Sequence, residues 1–180
     1  MRQAAFLDRD GVINEDREYV SRAADFHFIP GSIAALCTLQ AAGFALVVIT
    51  NQSGLARGMF TEDEYLRLQS YMQEQLAAAG VVLDSIQYCP HLPDAPVARY
   101  RLDCDCRKPR AGMILAAARQ LDIDLAASVL IGDRRADLEA GRTAGVGRCF
   151  LVRSGKQLSA DDESLADGVY EDLAACVRQL

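Results

Sequence analysis

At Phe6-Leu7-Asp8-Arg9-Asp10-Gly11-Val12 an apolar run ends in two carboxylates one residue apart, followed by a glycine. Such a pair can hold Mg²⁺ while one member attacks phosphorus, since aspartate is a competent covalent nucleophile and its i+2 neighbour reaches the leaving group as general acid. The acid role calls for a raised pKa at Asp10, supplied by desolvation in the closed complex with substrate. A plain polar turn after a strand would use the same residues. A second run, Val47-Val48-Ile49, stops in Thr50-Asn51-Gln52-Ser53-Gly54, whose hydroxyls and amides could bind phosphoryl oxygens or could simply form a turn.

Cys106-Arg107-Lys108-Pro109 places two cations before a proline suited to a first helical turn. Lys108 could neutralise a phosphoryl dianion beside carboxylates, and Arg107 could take a second phosphate through its planar fork; a solvated basic turn is the bland reading. Val129-Leu130-Ile131-Gly132-Asp133-Arg134-Arg135-Ala136-Asp137 again ends an apolar run in an acid, with another four residues on. Asp133 would complete an all-oxygen Mg²⁺ site. Asp137 would orient Lys108 or metal-bound waters, or serve as a helix N-terminal acid.

Cys89-Pro90-His91 and Cys104-Asp105-Cys106 are C-x-H and C-x-C pairs separated by twelve residues. Cys89, His91, Cys104 and Cys106 together supply a closed tetrahedral Zn²⁺ set, which would pin a loop over 89–106 rather than activate water. The alternative is a buried thiol, a surface histidine and a chance C-x-C. His27 has no such partners and reads as a surface or packing residue.

These residues must be positioned by an α/β fold. Apolar runs alternate with helix-period segments along the chain, predicting strands at Ala4–Leu7, Ala45–Ile49, Ser85–Tyr88, Val129–Ile131 and Cys149–Val152. Helices are predicted at Ser32–Ala42, Glu62–Ala79, Gly112–Leu121, Ala136–Ala144 and Tyr170–Leu180, with Thr61 and Glu64 forming a capping box. Five strands would make one doubly wound parallel layer of Rossmann type. The stretches 14–29, 51–60, 90–108 and 153–167 read as irregular, and three of them leave the carboxyl ends of strands, where open α/β sheets bind ligands.

The 180 residues, 24% charged and 51% hydrophobic, suffice for one domain spanning 1–180. With 19 Lys+Arg against 25 Asp+Glu the net charge is −6, which argues against a nucleic-acid partner. No apolar run is long enough to span a bilayer and no signal segment precedes the first strand, so the cytoplasm is expected. A monomer is expected because no exposed apolar helix face stands out.

The ordered set of strand-DxDGV, strand-TN, an intervening KP and strand-GDxxxD resembles the haloacid dehalogenase (HAD) superfamily of phosphohydrolases over Ala4 to about Val152. The resemblance implies a Rossmann-like core, Mg²⁺ dependence and an aspartyl-phosphate intermediate. It makes Asp8 nucleophile and metal ligand, Asp10 general acid/base and a ligand through its carbonyl, Thr50 and Lys108 phosphoryl stabilisers, and Asp133 the remaining protein ligand. The segments between the motifs leave no room for a cap domain. The site would therefore be open, walled by Asp16–Tyr19, Ser53–Arg57 and the zinc loop.

LDRDGVIN, TNQSGLARG, CPH and CDCRKP are similar to a capless, zinc-loop branch that removes one phosphate from a small sugar bisphosphate on a route to bacterial envelope polysaccharide. That resemblance implies substrate contacts from Arg9, Asp16, Arg17, Glu18, Tyr19, Asn51, Gln52, Ser53 and Arg107, which helps to recognise the retained phosphate. Arg134 is counted with them, although it stands where the branch often has lysine, so its contact geometry differs. Histidinol-phosphate phosphatases share fold, motifs and a zinc loop; their cationic substrate would favour acids such as Asp16 and Glu18, whereas Arg57 and Arg107 favour a second phosphate. A broad sugar-phosphate phosphatase and a catalytically silent zinc-stabilised binding module are the remaining alternatives.

Overall fold

In the computed structural model, which describes residues 1–180, six parallel strands form one sheet. They are β1 (Ala4–Leu7), β2 (Ala45–Asn51), β3 (Ser85–Cys89), β4 (Val129–Gly132), β5 (Arg148–Val152) and β6 (Gly168–Tyr170), in the order β3-β2-β1-β4-β5-β6. The helices are α1 (Ser32–Ala41), α2 (Ser53–Ala56), α3 (Glu62–Ala78), α4 (Gly112–Leu121), α5 (Arg135–Ala144), α6 (Ala160–Leu165) and α7 (Leu173–Val177). No helix is long and apolar enough to cross a membrane.

Helices cover both faces of the sheet, which is why its central strands read as continuous apolar runs. Alternation along each strand sorts the side chains into two cores. Ala5, Leu7, Leu46, Val48, Val129 and Ile131 pack with Leu36 and Leu39 of α1, Leu68, Met72 and Leu76 of α3, and Leu173 of α7. Ala4, Phe6, Ala45, Val47, Ile49 and Leu130 face Met113, Ile114 and Ala117 of α4 and Leu138 of α5. A smaller cluster of Leu55, Phe60, Tyr65, Leu92 and Tyr100 sits under the 90–108 segment.

The register brings the motifs together. Leu7 pairs with Val48 on one side and Ile131 on the other, so the next residues of β1, β2 and β4 emerge side by side at the carboxyl edge. On β3, Cys89 pairs with Asn51. The chain leaves β1 for β2 on one side while β4 lies on the other, which opens a crevice at the switch in strand order.

The five predicted strands are present to within two residues at their ends, and the Thr61–Glu64 capping box of α3 is formed on both sides. Three expectations need correction. A sixth strand, β6, pairs with Phe150–Val152, so the helix expected from Tyr170 begins only at Leu173, where the Asp172 carboxylate accepts from Ala175 N–H as its cap. The 153–167 stretch contains α6, started by a Ser159–Asp162 capping box, and 51–60 contains the single turn α2. Elements this short carry too little periodicity to stand out in sequence.

Candidate active site

Asp8 leaves β1 with its amide bonded to the Ile131 carbonyl of β4, so the carboxylate is fixed at the centre of the sheet edge. Lys108 arrives from the 90–108 segment and is buried. Its ammonium lies 3.0 Å from Asp8 Oδ1 and 2.6 Å from Asp137 Oδ1, and it donates to the Ile49 carbonyl at 2.9 Å. Asn51 clamps the backbone of Lys108 from both sides, donating to its carbonyl and accepting from its amide, each at 3.1 Å. Asn51 thus acts here on Lys108 rather than as a free cleft amide.

Asp137, on the first turn of α5, accepts from the amides of Asp133 and Arg134 at 3.1 Å each. Its close approach to β4 depends on Gly132, because a Cβ there would collide with the Asp137 side chain. Asp137 therefore orients Lys108, as the spacing suggested. Asp133 is fully buried; it accepts from Arg134 Nε at 3.1 Å and from the Lys156 amide at 2.9 Å.

Carboxylate oxygens of Asp8, Asp133 and Asp137 lie within 4.8 Å of one another. Burial, with the neighbouring carboxylates, lifts the Asp8 carboxyl well above its ordinary range despite Lys108, and burial with Asp137 lifts Asp133. Burial would depress the Lys108 ammonium, but Asp137 and Asp8 outweigh it and hold it at about 12. Three buried acids facing one buried lysine form an oxygen-only, charge-deficient set that fits a hard divalent cation. Asp137 is engaged by Lys108 and two amides and Asp133 by Arg134 and the Lys156 amide, so any cation would share these oxygens with their present partners.

Asp10 sits at the mouth. Its carboxylate accepts from Arg9 at 2.9 Å, Asn14 at 2.9 Å and Gln52 at 3.1 Å. Burial pushes its pKa up, but the Arg9 charge and these hydrogen bonds more than reverse that and leave it below the ordinary value. The largest lowering influence is the guanidinium immediately beside it, and the raised pKa expected of the closed complex belongs to a separate state. Arg9 is only 2% exposed, also donates to the Val20 carbonyl at 3.3 Å and lies over the Tyr65 ring. Expected to contact substrate, Arg9 instead faces inward and holds Asp10. Thr50 is buried beside them, its hydroxyl oxygen accepting from Gln52 at 2.8 Å, so its own proton remains available to donate.

Above this floor opens a cleft of about 180 Å³ lined by Asp10, Asp16, Glu18, Tyr19, Asn51–Gly54, Arg134 and Lys156. Glu18 and Tyr19 both take left-handed backbone, φ 52° and 53°, in the turn that forms one wall. Asp16, Glu18, Tyr19, Asn51, Gln52, Ser53 and Arg134 are therefore gathered as expected. Arg17 is not: it turns away to pair with Glu15 at 2.7 Å. Arg57 is exposed and outside the lining, and Arg107 lies over the 90–108 segment, reaching the His91 carbonyl at 3.4 Å. The zinc loop, expected as the third wall, does not line this cleft; Arg134 and Lys156 do. Lys156 escaped the sequence reading because its segment matches no chemical motif, and only its place just beyond β5 points to it.

Beside the cleft, Cys89, His91, Cys104 and Cys106 converge. The sulfur–sulfur separations are 2.9–3.5 Å, and His91 Nδ1 lies 3.4 Å from Cys106 and 3.8 Å from Cys89. Zn–S bonds of about 2.3 Å imply tetrahedral edges of about 3.8 Å, so slight opening seats the ion. Hydrogen bonds from Cys89, then from His91 and Cys104, pull the Cys106 thiol down, while the same bond pushes the Cys89 thiol up, so the pair shares one proton between them. All six cysteines are free. The cluster braces the site from outside: Cys89 O accepts from the Gln52 amide at 2.8 Å, and Cys106 is two residues from Lys108.

A parallel sheet with a DxD pair at the end of its central strand, a buried lysine between Asp8 and Asp137, and no inserted domain over the cleft define a capless HAD-type phosphohydrolase. The HAD-hydrolase-like family model matches residues 105–176, and relatives named D-glycero-beta-D-manno-heptose-1,7-bisphosphate 7-phosphatase are 49% identical in Photorhabdus laumondii and 50% in Escherichia coli K12. The chain belongs to this heptose bisphosphate phosphatase family: the alignments cover 95% of it and 91% and 90% of those relatives. Among solved structures, D,D-heptose 1,7-bisphosphate phosphatase from B. bronchiseptica, complexed with magnesium and phosphate, matches with a TM-score of 0.84 and 37% identity over 98% of this chain and 97% of that one. The Burkholderia thailandensis protein of the same name matches with a TM-score of 0.70 and 30% identity over 99% and 97%.

The Asn51 clamp yields a test. Asn51→Ala frees the Lys108 backbone and is expected to lower kcat about tenfold or more through misplacement of the ammonium. Steady-state kinetics on the folded variant check this, and unchanged kcat contradicts the positioning role.

Proposed function

We propose that this protein hydrolyses the 7-phosphate of D-glycero-beta-D-manno-heptose 1,7-bisphosphate, releasing the heptose 1-phosphate, as a Mg²⁺-dependent phosphomonoesterase. The observation that carries the chemistry is the buried Lys108 ammonium 3.0 Å from Asp8, with Asp133 beside it, beneath an open polar cleft. The substrate follows from relatives at 49–50% identity across nearly the whole chain, whose name specifies the β anomer.

Bound between Asp8 and Asp133, with the Asp10 carbonyl, magnesium supplies the charge that offsets repulsion between carboxylate and phosphoryl group. Asp8 attacks phosphorus in line, forming an O–P bond as the bond to the sugar oxygen breaks. Asp10 gives its proton to that oxygen, then takes one from the water whose attack breaks the Asp8–P bond. An adjacent phosphoryl dianion favours the protonated form of Asp10 against the pull of Arg9. Lys108 and the Thr50 hydroxyl bind the transferring oxygens, while Gln52 and Ser53 face the sugar across the cleft.

The histidinol-phosphate reading rested on Asp16 and Glu18 as partners for a cationic amine. Asp16 is already matched by Lys156 at 3.0 Å and Arg134 at 3.7 Å, which leaves Glu18, 3.9 Å from the same Lys156, as the one acid of the pair that could meet that amine. The retained phosphate fits this rim, which carries Lys156 and Arg134, better. We also assign Zn²⁺ to Cys89, His91, Cys104 and Cys106 as a structural brace. We further propose one cytoplasmic, monomeric domain over 1–180 with no nucleic-acid or membrane partner, of which the net charge of −6 speaks only to the nucleic acid.

Phosphate release with Mg²⁺ from the β and α heptose bisphosphate anomers and from histidinol phosphate, at matched concentrations, tests the assignment; the β anomer is expected to be fastest, and preference for histidinol phosphate would overturn it. Asp8→Asn is expected to abolish turnover, whereas Asp10→Asn lowers it by about 10²–10⁴ and still accumulates acid-stable phosphate on the protein, read by radiolabel after a rapid quench. Turnover by Asp8→Asn at the native rate excludes it as nucleophile. For zinc, Cys104→Ser or chelation is expected to lower the melting temperature and raise KM, with one zinc per chain found by atomic absorption in the native protein; a chelated protein that melts unchanged removes the brace.

A further inference from the structure

The segment after β5 is not among the catalytic motifs, yet it closes over the metal-binding acids. Ser154 Oγ donates to the Gly11 carbonyl at 2.7 Å, joining the segment to the loop that carries Asp8 and Asp10. Gly155 then passes so close to Asp133 that a Cβ would collide with its carboxylate, and the next amide, of Lys156, donates to Asp133 Oδ2 at 2.9 Å. The Lys156 side chain runs back across the cleft. Its ammonium lies 3.0 Å from Asp16 Oδ2, which Arg134 approaches at 3.7 Å, and 3.9 Å from Glu18 Oε1.

Asp16 is the node of this arrangement. Its side chain is 11% exposed, and its second oxygen accepts from the Glu18 amide at 3.1 Å, inside the turn where Glu18 and Tyr19 hold left-handed backbone. That turn has one link to the opposite side of the cleft that is both short and charged, the Lys156–Asp16 pair. An exposed ion pair contributes little to stability, but this one joins two walls of a binding cleft, where a small displacement alters substrate fit.

We propose that Lys156 is a positioning residue for the reaction: its amide holds Asp133, and its ammonium, through Asp16, holds the Asp16–Tyr19 turn at the width the sugar bisphosphate requires. Lys156 then acts on substrate affinity through Asp16, and does so alongside Arg134 rather than in its place. The inference rests on the heptose bisphosphate reading.

The test is a double-mutant cycle on phosphate release from the β heptose bisphosphate. Lys156→Ala is expected to raise KM about tenfold with kcat changed less than about threefold, and Lys156→Arg to recover most of the loss, since the pair needs a cation and not an ammonium alone. In an Asp16→Ala background, Lys156→Ala should add less than about twofold, because the link it makes is already gone. A tenfold further loss in that background overturns the proposal, as does a KM unchanged by Lys156→Ala. A native protein with no turnover of this substrate would instead reject the functional assignment.

Discussion

Everything at this site depends on the buried Lys108 ammonium held between Asp8 and Asp137. A lysine that is buried costs several kcal/mol unless its charge is met, and here two carboxylates and one carbonyl meet it. Asp8, Asp133 and Asp137 carry more negative charge than Lys108 and Arg134 together balance, an imbalance that the proposed divalent ion would relieve.

The fold exists to hold that imbalance in place. Parallel strands β1, β2 and β4 end side by side, and the two cores on opposite faces keep them rigid through continuous apolar runs. Each acid accepts from backbone amides as well as from a cationic side chain: Asp137 from two amides of the β4–α5 turn and from Lys108, Asp133 from the amide of Lys156 and from Arg134, and Asp8 from the amide of Arg9 and from Lys108. The lysine comes from a segment with little regular structure, so it needs bracing of its own. Asn51 clamps its backbone from β2, and the cysteine–histidine cluster ties the chain two residues earlier to the end of β3.

Asp8 and Asp10, two residues apart, occupy opposite electrostatic environments. Asp8 is buried among like charges, while Asp10 is held down by Arg9, whose guanidinium lies inside the protein rather than in the cleft. The same short motif thus provides a carboxylate that a metal must stabilise and one that the protein itself stabilises. The division of labour proposed for them, nucleophile and proton carrier, is consistent with what surrounds each.

The sequence by itself determined the chemistry and most of the scaffold. Apolar runs that end in Asp8, Thr50 and Asp133, and the spacing of Cys89, His91, Cys104 and Cys106, depend only on local pattern, which survives in one dimension. What the tertiary structure decided are contacts between residues far apart in the chain: Arg9 turned onto Asp10 and Tyr65, Asn51 clamping Lys108, and Lys156 reaching Asp16. The three-residue β6 and the short α2 and α6 escaped for a related reason, because elements of one turn or three residues take their stability from neighbours rather than from a period of their own. Side-chain direction is likewise invisible in spacing. Arg17, Arg57 and Arg107 are as basic as Arg134 and Lys156, and only the folded chain points the latter two into the cleft.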